Sequence, residues 1–452
     1  MKLKNKNIHI IGIGGISMSA IACLLLKDNN IITGSDISKS EITEKLEKLG
    51  IKIAYEHKAE NVIHSDIVIS SAAIHDDNPE IIEAKKRNIK IFSRASILGD
   101  ISKKYKNVIT VSGSHGKTTT TGMIATCFLN AGLEPTIHIG GTLNSIKSNV
   151  YIGGNDYFIT EACEYVDSFL EFKSHSCVAL NIEPDHMDYF KTIDNLINSF
   201  KKYLSNCKTK GYTVINADDD RLLKINNKKR TYTYGIKNKN AMVVARNIRK
   251  CKFSKYSFDV YRNNKKLGRI KLSIPGKHEI YNALACVCVC LQYKIDFSTI
   301  ALALNEFSGI KRRFEEVGKI NGGVVIHDYA HHPTEIEANI VAVKSSIKGR
   351  VFVVFQPHTY SRTKALLNDF VRVLSLSDIA YLYKIYPARE APIHGITSDI
   401  VSDKIRDLGT FSKSFNDFES LYKELKVNVK KDDIVLVLGA GDIEKFCEFV
   451  NR

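Results

Sequence analysis

Short apolar runs alternate with segments of helical period along almost the whole chain, the signature of parallel sheets covered by helices. Residues 8–13 read as a buried strand, 17–27 as a helix, 31–33 as a strand, 41–49 as a helix and 66–70 as a strand, one α/β unit ending near residue 104. A second unit opens with a strand at 108–111 and a helix at 117–130, then continues through strands at 157–160 and 177–181. Between about 231 and 274 the pattern changes to short alternating runs, TYTYGI, MVVARNI, YSFDVYR and RIKLSI, which predict antiparallel hairpins set into the α/β frame. A third unit starts near 316, with strands at 324–327, 351–355, 379–385 and 434–438. The expected class is α/β in three domains, 1–104, 105–315 and 316–452, and 452 residues agrees with about 150 residues per domain.

Composition narrows the class. Lys and Arg total 65 against 49 Asp and Glu, a net charge of +16, yet the basic pieces at 224–230, 246–255 and 265–269 are broken by Asn and apolar residues and carry no aromatic platform. A solvated surface is expected, not a nucleic-acid groove. The ten cysteines form no C-x-x-C, and Cys286, Cys288 and Cys290 alternate in an apolar stretch, which suits packing in a reducing, cytoplasmic setting. The N-terminal apolar run is cut by three glycines and lacks the small-residue cleavage site of a signal peptide, and no apolar stretch reaches the ~18 residues of a membrane span. Neither export nor membrane insertion is expected.

Two glycine-rich turns carry the first chemistry. Gly12, Gly14, Gly15 and Ser17 follow a strand and precede a helix, which lets backbone amides approach a diphosphate. Asp36, after the second strand, either binds a ribose hydroxyl or caps the next segment. In VITVSGSHGKTTTT, Gly113, Ser114, His115 and Gly116 lead into Lys117, Thr118 and Thr119. A strand running into a glycine loop with Lys-Thr at the helix start holds a triphosphate: amides cradle oxygens, Lys117 neutralises charge and the Thr118 hydroxyl ligates Mg²⁺. Val111 stands where the usual eight-residue loop has its first Gly, so this is a shortened variant.

Downstream strands end at Glu161 and at the run NIEPDHMDY, which would put Glu161 and His186 at the same sheet edge as Lys117. A carboxylate and an imidazole beside a triphosphate are candidate Mg²⁺ ligands, with Asp185 and Asp188 as supporting partners or loop caps. In the third unit HDYAHHP (327–333) and QPHTYSRT (356–363) each follow a strand, and the two adjacent histidines lack the third ligand of a metal site. At the junction before it, Lys311, Arg312 and Arg313 form either a solvated charge run or a hinge whose arginine reaches phosphate.

Taken in order along the chain, GIGG-x-S, SSA at Ser70, GSHGKTT, E-A-x-E at 161–164, NIEPDHMD, GKH-x-x-x-NA at 276–283, RRFE at 312–315, DY-x-HHP and QPH-x-YSRT resemble the Mur ligases of peptidoglycan synthesis over essentially the whole length. The last two motifs together point to the branch that adds L-alanine to UDP-N-acetylmuramate. That resemblance implies a Rossmann-like UDP-sugar-binding first domain (Gly12, Gly14, Gly15, Ser17, Asp36, Ser70), a central ATPase domain with a parallel sheet and added antiparallel strands, and a Rossmann-like third domain that brings the amino acid. It implies Lys117 on the ATP phosphates, Thr118 and Glu161 on one Mg²⁺ and His186 on a second. His278 and Asn282 would contact adenine, Asp328 the ribose and Arg313 a phosphate, while Tyr329, His358 and Arg362 match positions that bind L-alanine. Departures from the family pattern are Ser114 for Thr, Cys163 and Tyr165 for Asp and Ser, Glu279 for Asn and Thr359 for Arg.

The implied activity is ATP-dependent amide formation on the lactyl carboxylate through an acyl phosphate, with Lys117, Glu161, His186 and Arg313 as its catalytic residues. ATP and Mg²⁺ serve as cofactors, UDP-N-acetylmuramate and L-alanine as substrates, in a monomer or homodimer without nucleic acid. A sister ligase of the same fold would add a different amino acid or peptide. An NAD-dependent oxidoreductase leaves Lys117, Thr118 and His186 without a task, and a P-loop switch ignores the N-terminal glycines.

Overall fold

The computed structural model describes residues 3–71, 74–226, 230–251, 254–388 and 390–450. Parts of the basic pieces at 224–230 and 246–255, and Ala72 of the SSA stretch, lie outside them. The chain forms two compact units: Met1–Val244 with Arg262–Lys265 and Asn282–Ala303, and Ala245–Tyr261 with Lys266–Tyr281 and Leu304–Arg452.

The first unit begins with five parallel strands, β1 (Asn7–Ile11), β2 (Ile31–Ser35), β3 (Lys52–Ala54), β4 (Ile67–Ser70) and β5 (Lys90–Ser93), in the order β3-β2-β1-β4-β5. This is the strand order of a dinucleotide-type sheet without its sixth strand, with the switch of direction between β1 and β4. The predicted first strand ran to residue 13, but it stops at Ile11 because Gly12 takes φ 72°, which no strand tolerates. Behind β1, the fully buried Glu80 accepts from Ser35 Oγ at 2.7 Å and Asn61 Nδ2 at 2.6 Å and meets His57 Nδ1 at 2.8 Å. Burial pushes that carboxyl up, but hydrogen bonds from His9, Asn61, Ser35 and His57 outweigh it and hold the group below its ordinary value.

The second sheet is built from β6 (Asn107–Ser112), β7 (Thr136–Leu143), β8 (Ser148–Tyr151), β9 (Tyr157–Glu161), β10 (Ser176–Ala179), β11 (Tyr212–Asn216), β12 (Thr231–Gly235) and the start of β13 (Val243–Lys250). Their order is β13-β12-β11-β10-β6-β9-β7-β8, parallel throughout except for β8 on β7. The hairpin expectation fails at its first two runs, since β12 continues the parallel sheet beside β11 and Val243–Val244 of β13 pairs with β12 in parallel. Alternation reports which side chains face inward but carries no information about strand direction. The following strands, β14 (Tyr256–Arg262) and β15 (Lys265–Lys271), are neighbours joined by Asn263 and Asn264 at φ 47° and 64°, the left-handed pair of a tight hairpin turn.

In the second unit β16 (Glu315–Ile320), β17 (Gly323–Asp328), β18 (Val351–Phe355), β19 (Ile379–Tyr383), β20 (Phe411–Phe415) and β21 (Ile434–Leu438) form a sheet of order β16-β17-β21-β18-β19-β20, parallel apart from β16. Its middle strands are buried on both faces, which is why β18 (VFVVF) and β21 (IVLVL) read as unbroken apolar runs. Among the described residues no helix is long and apolar enough to cross a membrane.

Candidate functional site

β6 lies between β9 and β10, so the loop after Ser112, the residue Glu161 and the segment from Leu180 onward all leave the sheet at one edge. The loop needs its glycines. Gly113 and Gly116 take φ 148° and 84°, and a Cβ on Gly116 would meet Asn282 Oδ1 at 2.5 Å. Asn181 pins the turn by accepting from the Ser114 amide on its carbonyl (3.2 Å) and from the His115 amide on Oδ1 (2.8 Å). The Ser114 hydroxyl adds a reciprocal pair with the Glu183 backbone, donating at 3.0 Å and accepting at 2.8 Å. Ser in place of Thr therefore keeps a structural hydroxyl. Lys117, Thr118 and Thr119 open the helix Lys117–Asn130.

Lys117 donates to the carbonyls of Gly113 (2.5 Å) and Ser114 (3.2 Å) and to Glu164 Oε1 (3.0 Å). Burial works against its charge, but the Glu164 carboxylate overcomes that and holds the ammonium above its ordinary value, so it is a permanent cation. Thr118 Oγ1 donates to Glu161 Oε2 at 3.0 Å, and Glu161 Oε1 accepts from the Gly140 amide at 2.5 Å. Thr118 and Glu161 are thus brought together. His186, expected at a second cation position, stands apart from that pair: its Nε2 lies 4.0 Å from Glu164 Oε1 and 3.7 Å from Asp185 Oδ2, and donor atoms of Glu164, Asp185 and His186 fall within 4.8 Å of one another. Glu164 Oε2 is buried without a hydrogen-bond partner, a costly state that a cation would relieve. His186 sits at φ 54°, with its ring 4.6 Å from that of Tyr165.

A hydrogen-bond chain that the sequence did not reveal links the first glycine loop to Glu161. Arg94 Nη1 donates to Ser17 Oγ at 3.3 Å, Ser17 Oγ meets His138 Nε2 at 2.9 Å, and His138 Nδ1 meets Thr160 Oγ1 at 2.9 Å. The Thr160 hydroxyl proton goes to the Glu161 carbonyl at 3.0 Å. The tautomer follows: Nδ1 carries the hydrogen and Nε2 accepts from Ser17. Burial, aided by the nearby Arg94 charge, pushes His138 down to about 3, so the ring is neutral. At the loop itself the Gly12 and Ile13 amides donate to the Ser35 carbonyl, Gly15 to Gly12 and Gly14 to Asp36 Oδ2 at 2.9 Å. Asp36 Oδ1 accepts from Ile37 and Ser38 (2.8 and 3.3 Å), the capping role. Ser70 ends β4.

In the second unit Asp328 ends β17 and accepts from the Phe314 and Ala330 amides (2.7 and 2.8 Å), and burial raises its carboxyl despite the Arg313 charge. The Arg313 guanidinium lies 5.3 Å above the Tyr329 ring and 3.8 Å from Glu335. Rings step onward from Tyr329 to His331 (5.6 Å) and from His331 to His358 (6.0 Å), and Arg362 Nη1 donates to His358 Nδ1 at 3.3 Å. Tyr329, His358 and Arg362 are therefore gathered at one end of the sheet, with His331 between them. His278 pairs with Glu279 at 3.1 Å. Asp185, expected as a supporting partner or a loop cap, stands beside His186; residues not assigned a role from the sequence are Glu164, His138, Arg94 and His331. Glu164, three positions after Glu161 in the E-A-x-E run, and His331, in HDYAHHP, left a sequence signal; His138 and Arg94 left none.

Three family models match in succession: "Mur ligase family, catalytic domain" over residues 7–106, "Mur ligase middle domain" over 111–290 and "Mur ligase, glutamate ligase domain" over 312–441. The chain is 45% identical over 450 residues to the UDP-N-acetylmuramate–L-alanine ligase of Clostridium botulinum (strain Langeland), covering 99% of this chain and 98% of the relative. It is 46% identical over 451 residues to the ligase of that name from Caldanaerobacter subterraneus subsp. tengcongensis, covering 98% of each. The crystal structure of the Thermotoga maritima UDP-N-acetylmuramate-alanine ligase superposes with a TM-score of 0.85 at 29% identity, covering 99% of this chain and 98% of that one. Matched from end to end by sequence and by its α/β architecture, the chain belongs to the Mur ligase family.

Proposed function

We propose that this chain joins L-alanine to the lactyl carboxylate of UDP-N-acetylmuramate at the expense of ATP, in the cytoplasm. The observation that carries the reading is the half-buried Lys117 beside Thr118 and Glu161, a triphosphate-holding set in a chain whose near-full-length relatives bear that enzyme's name. The domains are 1–104 for the UDP-sugar, 105–315 for ATP and 316–452 for the amino acid. Gly113 to Thr119 cradle the phosphates, His278 and Asn282 meet the adenine, Asp328 the ribose and Arg313 a phosphate. Tyr329, His358 and Arg362 hold L-alanine, the planar guanidinium gripping its carboxylate in two places.

The donor sets fit Mg²⁺ at two positions, Thr118 with Glu161 and His186 with Glu164 and Asp185, hard oxygens supplemented by one imidazole. When bound, Mg²⁺ neutralises phosphate charge. A lactyl carboxylate oxygen attacks the γ-phosphorus, ADP leaves, and the neutral amine of L-alanine attacks the acyl carbon. The tetrahedral species expels phosphate as the amine loses its proton. Lys117 and Arg313 stabilise the charge that spreads over the transferring phosphoryl group.

ATP turnover measured across UDP-sugars and amino acids tests this reading. ADP release that requires both UDP-N-acetylmuramate and L-alanine supports it. Turnover with another amino acid or a preformed peptide instead identifies a sister ligase, and hydride transfer with NAD would overturn the assignment.

A further inference from the structure

Three thiols meet inside the first unit in a place the ligase chemistry leaves unused. Cys127 stands on the helix Lys117–Asn130, while Cys286 and Cys290 occupy successive turns of the helix Glu279–Gln292, and all three are fully buried. Cys127 Sγ is 3.6 Å from Cys286 Sγ, which is 3.8 Å from Cys290 Sγ, and the three sulfurs fall within 4.8 Å of one another. Sulfurs held by one soft ion at about 2.3 Å in tetrahedral directions stand about 3.8 Å apart. Two of the three separations already have that spacing and the third is within 4.8 Å, so the thiols, carried by two helices, form a cup of three donors.

Charge selects the ion. Three thiolates around a divalent zinc or a monovalent copper leave net negative charge, and an unpaired charge in an apolar interior is strongly disfavoured. A trivalent centre leaves none. Trivalent arsenic and antimony also bind sulfur in a pyramid whose fourth direction is filled by a lone pair, so three donors complete the shell, and three is the number in this group among the described residues. We infer that the Cys127, Cys286 and Cys290 sulfurs form a binding site for trivalent arsenic or antimony. With arsenous acid, three As–S bonds form and three As–O bonds break. Each thiol proton leaves with a hydroxide as water, three waters in all, and no electrons are transferred.

The thiols are also prepared for that exchange. Hydrogen bonds from Cys286 and Cys290 lower the Cys127 thiol, while burial raises Cys286 and Cys290; a proton that Cys127 has already given to solvent is taken back as the third hydroxide leaves as water. Occupancy would also reach the triphosphate loop. Cys127 lies on the helix that Lys117 begins, and Cys286 stands one turn after Asn282, the residue packed against Gly116.

The test is uptake of arsenite by the reduced, folded chain in excess monothiol, read after desalting by elemental analysis and intact mass. A single arsenic per chain with a three-sulfur shell in X-ray absorption is expected. Cys127→Ala, Cys286→Ala and Cys290→Ala should each lower retention roughly tenfold or more. Cys177→Ala, at a buried thiol elsewhere, should leave it unchanged. Thermal melts identify any variant that fails to fold, and the other two substitutions then decide. No retained arsenic in the wild-type chain, a two-sulfur shell, or equal retention in the folded triad variants would each overturn the site.

Discussion

At residues 12–17 and again at 113–117 a buried strand runs through glycines into a helix, yet the two turns are equipped in opposite ways. In the first, the four amides from Gly12 to Gly15 are all committed to protein acceptors, one of them the Asp36 carboxylate, and the polar side chain on the helix is Ser17, which Arg94 reaches from another helix. In the second, a half-buried cation stands at the first helical position, paired with Glu164, and Glu161 pairs with the next residue, Thr118. The lesson concerns glycine fingerprints. They show that backbone can come close to a ligand, while the side chains around them decide what charge is welcome there. On the proposed reading, Arg94 and the helix start would face the anion at the first turn, and Lys117, with cations that Glu161, Glu164, Asp185 and His186 could hold, would face it at the second.

The largest expected effect separates the two turns outright. Lys117→Ala should lower turnover by about 10³-fold, near 4 kcal/mol of phosphoryl-transfer stabilisation, and leave calorimetric binding of UDP-N-acetylmuramate intact. It also strands the buried Glu164, so the melting temperature should fall. Adding Glu164→Gln should restore the melt without restoring turnover, and a double variant that recovers both would place the essential cation elsewhere.

Next in size is the division between two cation positions. Glu161→Gln, Glu164→Gln and His186→Ala should each raise the Mg²⁺ concentration for half-maximal rate, by roughly 10- to 100-fold. Glu164→Gln and His186→Ala share one cluster and should be non-additive with each other, while Glu161→Gln combined with either should be closer to additive. Strict additivity within the Glu164–His186 pair would dissolve the second position.

The contrast is sharpened at the first turn by Arg94→Ala, which should weaken UDP-N-acetylmuramate by about 1.5–2 kcal/mol, roughly 10- to 30-fold, and leave the KM for ATP unchanged. An unaltered dissociation constant would return the diphosphate to the glycine amides and require Asp36 to release Gly14.

How much of this was legible in the sequence depended on whether a feature is local. Strand, glycine loop and Lys-Thr are consecutive residues with fixed geometry, so 107–118 could be read directly, as could the apolar runs of β18 and β21. The pairing of β12 and β13 could not, because direction is decided by where the chain returns. The cluster of Glu164, Asp185 and His186 joins the ends of two strands, and His138 joins residues 121 and 22 positions away. His138 sits in a strand of ordinary appearance, TIHIGGTL, where nothing distinguishes a core histidine from one that bridges two sites.

His138 also gives the smallest effect, and one with a definite sign. Its folded-state value of about 3 lies below the ~6.5 of an unfolded histidine, so between these values the unfolded chain binds the extra proton and stability rises with pH. The contribution is fully present above about pH 6.5 and is lost as pH falls toward 3. Between pH 7.5 and 5.5 the loss is about 1 kcal/mol from this residue alone. Protonation would make both ring nitrogens donors, so Nε2 could no longer accept from Ser17, and the chain from Arg94 to Glu161 would break at its middle. His138→Gln keeps an amide donor and an acceptor but cannot titrate. Its denaturant-derived stability should therefore change less between pH 7.5 and 5.5 than that of the parent chain, by about that 1 kcal/mol. Identical pH slopes in the two proteins would mean that His138 does not carry the acid sensitivity, and that the link between the two turns survives protonation.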